Sequence, residues 1–352
     1  MATVRLTMSQ ALTRWMTAQS IEQLDGSIEP AFAGVWAIFG HGNVAGLGEA
    51  LYGVRDQLPT YRGHNEQSMA HIAIAYAKQK QRRRMMAVTT SIGPGATNLA
   101  TAAALAHVNR LPVLLLPGDV FATRAPDPVL QQVESFADGT VSTNDCLRPI
   151  SRYFDRITRP EQLLQALPKA MSVLTDPADC GPVTLGLCQD VQAEAWDYPE
   201  SFFAPRVWHM RRISPDAAEL SRAIEILKSA KRPMIVAGGG VRYSGASQTL
   251  TAFAEAAGIP VAATQAGKSS LVEAHPMYVG SLGVTGASAA NNLAAKADVV
   301  LSVGSRLQDF TTGSNSLISG QVVALNVQPH DLVKHGAMPL MADALNGIEA
   351  VA

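Results

Sequence analysis

The chain has 352 residues, of which 47% are hydrophobic and only 16% charged, against a globular norm of about 25% charged. At roughly 150 residues per domain, that length accommodates two or three domains, each with its own core. The 28 basic and 29 acidic residues leave a net charge of -1, which supplies no field for a polyphosphate backbone and argues against a nucleic-acid partner.

In chain order, short apolar runs alternate with segments of helical period, the pattern of parallel strands joined by crossover helices. The predicted fold class is α/β, with two doubly wound parallel-sheet domains. Helices are predicted at Ser9–Ala18, Val44–Arg55, Glu66–Lys80, Ala96–Ala106 and Pro160–Leu174, and strands at Gly34–Phe39, Met85–Thr90, Pro112–Leu116 and Pro182–Leu187. Residues 1–189 are taken as the first domain. Residues 190–212 mix prolines, aromatics and charges and are predicted to be a connector lying across the surface. The rhythm restarts in a second domain, 213–352. There helices are predicted at Pro215–Ala230, Ala246–Ala256 and Ala287–Ala297, and strands at Pro233–Ala237, Ile259–Ala263, Val299–Val303 and Val322–Asn326.

Several motifs fit familiar chemistry poorly. Gly40-His41-Gly42-Asn43-Val44-Ala45 matches G-x-G-x-x-G/A, but Arg55, Asp56 and Arg62 follow without an acidic residue at the end of a clear second strand. A tight turn shaping a pocket is the competing reading. Gly267-Lys268-Ser269 resembles the tail of a phosphate-binding loop whose first glycine is replaced by Ala262, and reads as a turn with a solvated lysine. No G-x-S-x-G elbow and no zinc-ligand spacing occur. Cys146, Cys180 and Cys188 form no C-x-x-C pair and no disulfide framework. The basic run from Lys78 to Arg84 reads as a solvated helix end. The first 20 residues are interrupted by Arg5, Ser9, Arg14 and Gln19, and no run reaches the roughly 18 apolar residues of a membrane span, so a soluble, cytoplasmic chain is expected.

Two segments are costly unless something docks on them. Thr89-Thr90-Ser91-Ile92-Gly93-Pro94-Gly95-Ala96-Thr97-Asn98 places two glycines, a proline and several hydroxyls between a strand and a helix. Tyr61-Arg62-Gly63-His64-Asn65-Glu66-Gln67 precedes a helix whose apolar positions 69, 72, 73 and 76 describe a core-facing stripe. Spacing alone leaves Glu66 either serving that helix's dipole or performing chemistry.

Together these segments resemble the thiamine diphosphate-dependent enzymes of the acetohydroxyacid synthase type. The family's F-G-x-x-G turn has its counterpart in Phe39-Gly40-His41-Gly42. Its H-E-Q tripeptide is matched by His64-Asn65-Glu66-Gln67, with one residue inserted. Its T-S-G-P-G-A-T-N loop is matched by Thr90 to Asn98, with Ile92 added. Gly181-Pro182-Val183 resembles a closing strand, and Ala237-Gly238-Gly239-Gly240, Gly258-Ile259-Pro260-Val261, His275-Pro276 and Val303-Gly304-Ser305-Arg306 resemble the central domain. The resemblance implies that residues 1–189 bind the pyrimidine of thiamine diphosphate, with Glu66 as the catalytic carboxyl at the ring nitrogen N1′. It also implies that Gly40, His41, Gly42, Ser91, Gly93, Pro94, Gly95 and Asn98 line the cofactor site, a tight strand-to-helix turn being the competing reading of Gly93, Gly95 and Asn98, and that Gln131 or Gln132 approaches the substrate unless it is a solvated helix residue. His41 is equally readable as a turn histidine hydrogen-bonded locally.

Within the family, the fuller wording IFGHGNVAGLGEAL, MMAVTTSIGPGATNL and STNDCLRPISRYFDRITRPEQL resembles members that hydrolyse a carbon–carbon bond of a cyclic dione. A carboligase of the acetohydroxyacid synthase type, whose central domain would bind FAD, and a non-catalytic dimerisation or regulatory module are the alternatives. The family's third domain carries G-D-G and holds Mg²⁺ and the cofactor diphosphate. No Gly-Asp-Gly occurs here, so no metal site is expected in this chain, and a C-terminal diphosphate-binding domain is expected to act in cis or in trans. A homodimer or tetramer is implied, in keeping with the low charged fraction.

Overall fold

The computed structural model describes residues 2–352. They form two compact units, one ending at Met210 and one spanning Arg211–Ala352, and each carries a six-stranded, wholly parallel sheet flanked by helices.

In the first unit the sheet runs, in spatial order, Thr60–Arg62, Phe32–Ile38, Met85–Thr90, Val113–Asp119, Pro182–Cys188 and Tyr153–Ile157. Every residue of Met85–Thr90, Val113–Asp119 and Pro182–Cys188 is buried, because crossover helices cover both faces of a parallel sheet. Thr60–Arg62 and Tyr153–Ile157 are strands that the sequence pattern does not predict. Both are short edge strands whose charged side chains disguise them. The chain order reverses between Phe32–Ile38 and Met85–Thr90, which makes that pair the switch point where an open sheet receives ligands.

Three expectations need correcting. Residues 190–212 are not a surface connector. Ala195–Pro199 pairs antiparallel with Thr3–Thr7, and Arg206–Trp208 pairs parallel with Gln19–Glu22. Tyr198 is fully buried with its hydroxyl donating to Pro160 O at 3.0 Å, and Trp208 Nε1 donates to Gln19 Oε1 at 3.0 Å, so the aromatics that broke the rhythm are core side chains. The basic run is not solvated throughout either. Arg82 and Arg83 are buried, and Arg83 Nη1 donates to Glu22 O at 3.0 Å, because a guanidinium can satisfy backbone carbonyls that an ordinary side chain cannot. The helix Glu66–Gln79 buries Met69, Ala70, Ala73, Ile74 and Ala77 and leaves Ile72 exposed, so the apolar stripe is turned from the 69, 72, 73, 76 expectation. Ala70, Ala73 and Ala77 join Met69 and Ile74 on the packed face.

The predicted helix Val44–Arg55 is split into a wide-turn segment Val44–Gly48 and a short helix Glu49–Gly53. Ala96–Ala106 is likewise split, into Pro94–Thr97 and Ala100–Asn109.

In the second unit the order is Tyr278–Ser281, Val261–Ala263, Pro233–Ala237, Val299–Val303, Gln321–Asn326 and Met338–Met341. Asp216 caps the helix Ala217–Ser229 by accepting from Ala218 and Glu219 amides. A closing helix, Ala344–Val351, packs Ile348 into this unit's core. No helix among the described residues is long and apolar enough to cross a membrane.

Candidate active site

Three loops meet at the C-terminal edge of the first sheet, beside its switch point. They follow Phe32–Ile38, Thr60–Arg62 and Met85–Thr90, and they carry Gly40, Glu66 and the Ser91–Asn98 stretch respectively. A buried polar network fixes the first loop to the third. Asn43 Nδ2 donates to Thr89 Oγ1 and to Thr90 O, both at 2.8 Å, while Gln192 Nε2 donates to Asn43 Oδ1 at 2.8 Å. Thr89 Oγ1 in turn donates to Leu116 O at 2.8 Å on the next strand. Asn43, Thr89 and Gln192 are each at most 1% exposed, so every bond in the network is shielded from water. Asn43 and Thr89 lie within the two quoted glycine-bearing segments, whereas nothing in the sequence marks Gln192, within the expected connector.

Glu66 opens the helix Glu66–Gln79. The N-cap role there belongs to Asn65, whose side chain accepts from the Ser68 amide at 2.9 Å, so Glu66 is not needed for capping. Its carboxylate instead reaches another element: Oε2 accepts from Asn98 Nδ2 at 2.7 Å. A Cβ built on Gly95 would stand 3.3 Å from Glu66 Oε1, so the absent side chain of Gly95 leaves open the space beside that oxygen. Glu66 itself is half-buried.

The remaining expected residues fall into two groups. Ser91 is buried and its hydroxyl donates to Gln131 Oε1 at 3.1 Å. Gly40, at φ +54, lies against the Ser91 side chain, which fills the volume a Cβ would need. Gly93 lies against the Gln131 carbonyl, and Gly42 against Gln189 and Ile92. Gln131 therefore joins the cluster. Gln132 does not: its amide serves its own loop, donating to Asp127 Oδ1 at 2.8 Å and accepting from the Val129 amide at 2.9 Å. Pro94 is exposed at the start of the Pro94–Thr97 turn, where its fixed φ suits the first helical position. His41 is exposed on the first loop.

Gly93 adopts φ +58 and ψ -118, a region open essentially to glycine alone. Gly93→Ala is expected to destabilise the first unit by about 2–4 kcal/mol, combining backbone strain with the clash against the Gln131 carbonyl. Thermal unfolding of the variant checks this; an unchanged melting temperature would refute it.

A second buried cluster sits one strand further along the same edge. The Asp119 side chain is fully enclosed and accepts from Arg156 Nε at 2.9 Å, Arg156 Nη2 at 3.2 Å, Ser142 Oγ at 2.9 Å and the Val120 amide at 2.8 Å. Asn144 Nδ2 donates to Gly118 O at 3.0 Å. These bonds anchor the Thr143–Ile150 segment, which packs against the Pro94–Thr97 turn that leads to Asn98. Burial pushes the neighbouring Cys188 thiol far above its ordinary range, with the Asp119 charge adding to the effect, so Cys188 is an inert core thiol. Among the described residues, no group of three or more His, Cys, Asp or Glu side chains could hold a metal ion.

At the switch point of the second sheet, Gly238 N–H donates to Val303 O at 2.8 Å and Gly240 N–H to Gly304 O at 3.0 Å. The two loops are in close backbone contact there. Lys268 is exposed in its turn, as expected for a solvated lysine.

Comparison with known proteins gives the class of this two-unit α/β chain. Residues 33–138 match the thiamine pyrophosphate enzyme N-terminal TPP binding domain, and residues 220–351 match the thiamine pyrophosphate enzyme central domain. The chain belongs to the thiamine pyrophosphate enzymes. Over its whole length it is 51% identical to a 3D-(3,5/4)-trihydroxycyclohexane-1,2-dione hydrolase of Geobacillus thermodenitrificans, of which it covers 55%. It is 49% identical to the protein of the same name from Bacillus cereus strain AH820, again covering 55% of it. A relative of that name from Bacillus thuringiensis is 50% identical over 98% of this chain and 54% of its own length. The chain thus spans about half the length of these curated relatives.

Proposed function

We propose that this chain is the N-terminal, two-domain portion of a thiamine diphosphate-dependent carbon–carbon hydrolase. Its substrate would be trihydroxycyclohexane-1,2-dione, opened to 5-deoxyglucuronic acid in inositol degradation in the cytoplasm. Residues 1–189 would form the pyrimidine-binding domain and 213–352 the central domain, in a homodimer or tetramer. The observation that carries the reading is the Glu66 carboxylate, held by Asn98 on one oxygen with the other beside the space left by Gly95. A heterocycle with a basic ring nitrogen fits such a group, which offers one oxygen for proton exchange in a half-buried setting.

When bound, thiamine diphosphate supplies an electron sink for the bond that breaks. This chain's residues position it and move its proton. Glu66 would hold or give up a proton at the ring nitrogen and Gly95 would leave room for the ring beside Oε1, while Ser91 and Gln131 are hydrogen-bonded to each other on the neighbouring loop. The diphosphate and Mg²⁺ are assigned to the C-terminal diphosphate-binding domain, with which this chain would act. The test mixes the chain with the remaining C-terminal portion of the Geobacillus relative, thiamine diphosphate, Mg²⁺ and the dione. Ring opening that depends on cofactor and metal is expected; no turnover in a complex shown to assemble would overturn the reading.

A further inference from the structure

We propose that Asn98 is a positioning residue that selects which oxygen of Glu66 exchanges a proton with the cofactor ring: Oε2 is held by Asn98, and Oε1 is the proton-exchanging atom. The inference rests on the proposed function and deepens it. The amide nitrogen of asparagine only donates, so the oxygen that receives it must present a lone pair. In a neutral carboxyl the carbonyl-type oxygen is the better acceptor of the two, so the bond from Asn98 favours leaving Oε2 unprotonated and placing a carboxyl proton on Oε1. At 2.7 Å, the bond is in the short range of hydrogen bonds to a charged acceptor.

The origin of that amide is itself fixed. Asn98 ends the Pro94–Thr97 turn, its backbone N–H donating to Pro94 O at 3.2 Å, and Gly93 and Pro94 determine where the turn starts. The origin of Glu66 is fixed independently by the Asn65 cap. Two separately anchored elements thus meet at one hydrogen bond. Gly95, on the same turn as Asn98, leaves clear the space beside Oε1, where a Cβ would come within 3.3 Å. A carboxylate free to spin would present either oxygen in either protonation state. Asn98 removes that choice before any ligand arrives, which is preorganisation in the ground state.

The first measurement follows the Asn98 side-chain amide by nuclear magnetic resonance in the 352-residue chain. One Nδ2 proton is expected downfield and protected from exchange, and both features are expected to vanish in Glu66→Ala. An amide signal indifferent to Glu66→Ala would overturn the proposal. The second measurement uses the complex reconstituted as above. Asn98→Leu is expected to lower kcat about 10- to 100-fold, the size of a lost hydrogen bond to a charged group, with little change in KM for the dione.

Asn98→Asp supplies the discriminating readout. An aspartic acid donates to Oε2 only when protonated, so this variant is expected to be inactive at alkaline pH and to recover toward acid pH. A merely structural asparagine would not shift the pH profile. Leucine activity within about twofold of the unmodified complex, or an aspartate variant with an unshifted profile, would refute the assignment. Failure of the unmodified complex to bind thiamine diphosphate would instead bring down the proposed function, and this inference with it.

Discussion

Glu66→Gln is expected to reduce turnover of the reconstituted enzyme by about 10²- to 10⁴-fold, the usual contribution of a positioned proton-transfer group. Glutamine is the informative replacement because it retains a carbonyl oxygen that can accept from Asn98, whose Nδ2 stands 2.7 Å from Oε2, while losing the ability to carry a proton. The helix keeps its cap, since Asn65 serves the Ser68 amide. The variant is therefore expected to melt within a few degrees of the parent. Steady-state kinetics at saturating thiamine diphosphate and Mg²⁺, paired with thermal unfolding, separate the two quantities. A glutamine variant retaining more than about a tenth of parental turnover would remove Glu66 from the chemistry, and a large loss of melting temperature would recast it as a structural residue.

The legible parts of the fold share one physical property. Met85–Thr90 and Pro182–Cys188 are buried on both faces, so their sequences are continuous apolar or hydroxyl runs, and the pattern locates them almost to the residue. Pro233–Ala237 and Val299–Val303 behave likewise in the second unit. Edge strands are opaque because burial, not intrinsic propensity, writes the pattern. Thr60–Arg62 has two exposed residues of three, and Tyr153–Ile157 mixes charged with aromatic side chains.

At the site, glycine, proline and hydroxyl density in Ser91–Asn98 announces a loop with a purpose, and the position of Glu66 on a helix start can be read. The partner of Glu66 cannot. Asn98 lies 32 residues away, on the loop after a strand that Phe32–Ile38 separates from the edge strand preceding Glu66, so only the tertiary fold brings the two together. The buried trio Asn43, Thr89 and Gln192 is equally hidden, because Gln192 reaches Asn43 across 149 residues of sequence. Gln131 and Gln132, indistinguishable as neighbours in sequence, are separated by their partners, Ser91 for one and Asp127 for the other.

Arg156→Met is expected to cost the first unit about 3–5 kcal/mol, the penalty for leaving a buried charge without its counterion. For a unit of this size that corresponds to a fall in melting temperature of roughly 6–20 °C. The reason lies in the asymmetry of the pair. The Asp119 side chain has no exposure, whereas that of Arg156 is 25% exposed. Burial works to lower the guanidinium's proton affinity, but its hydrogen bonds to and attraction by Asp119 outweigh this, holding Arg156 above its ordinary value. Methionine preserves much of the arginine's apolar stem and removes only the charge. Asp119 would then rely on Ser142 and the Val120 amide alone. Asp119→Ala leaves a cation that can turn toward water, so it is expected to cost less than Arg156→Met despite orphaning the Ser142 hydroxyl. The order of the two melting temperatures is the test, and the reverse order would show that the polar contacts, not the buried charge, hold this corner together. Because Ser142 and Asn144 anchor the segment that backs the Asn98 turn, Arg156→Met is also expected to loosen the Asn98–Glu66 hydrogen bond. Faster exchange of the Asn98 side-chain amide, measured well below the new melting temperature, would register that coupling between the two clusters.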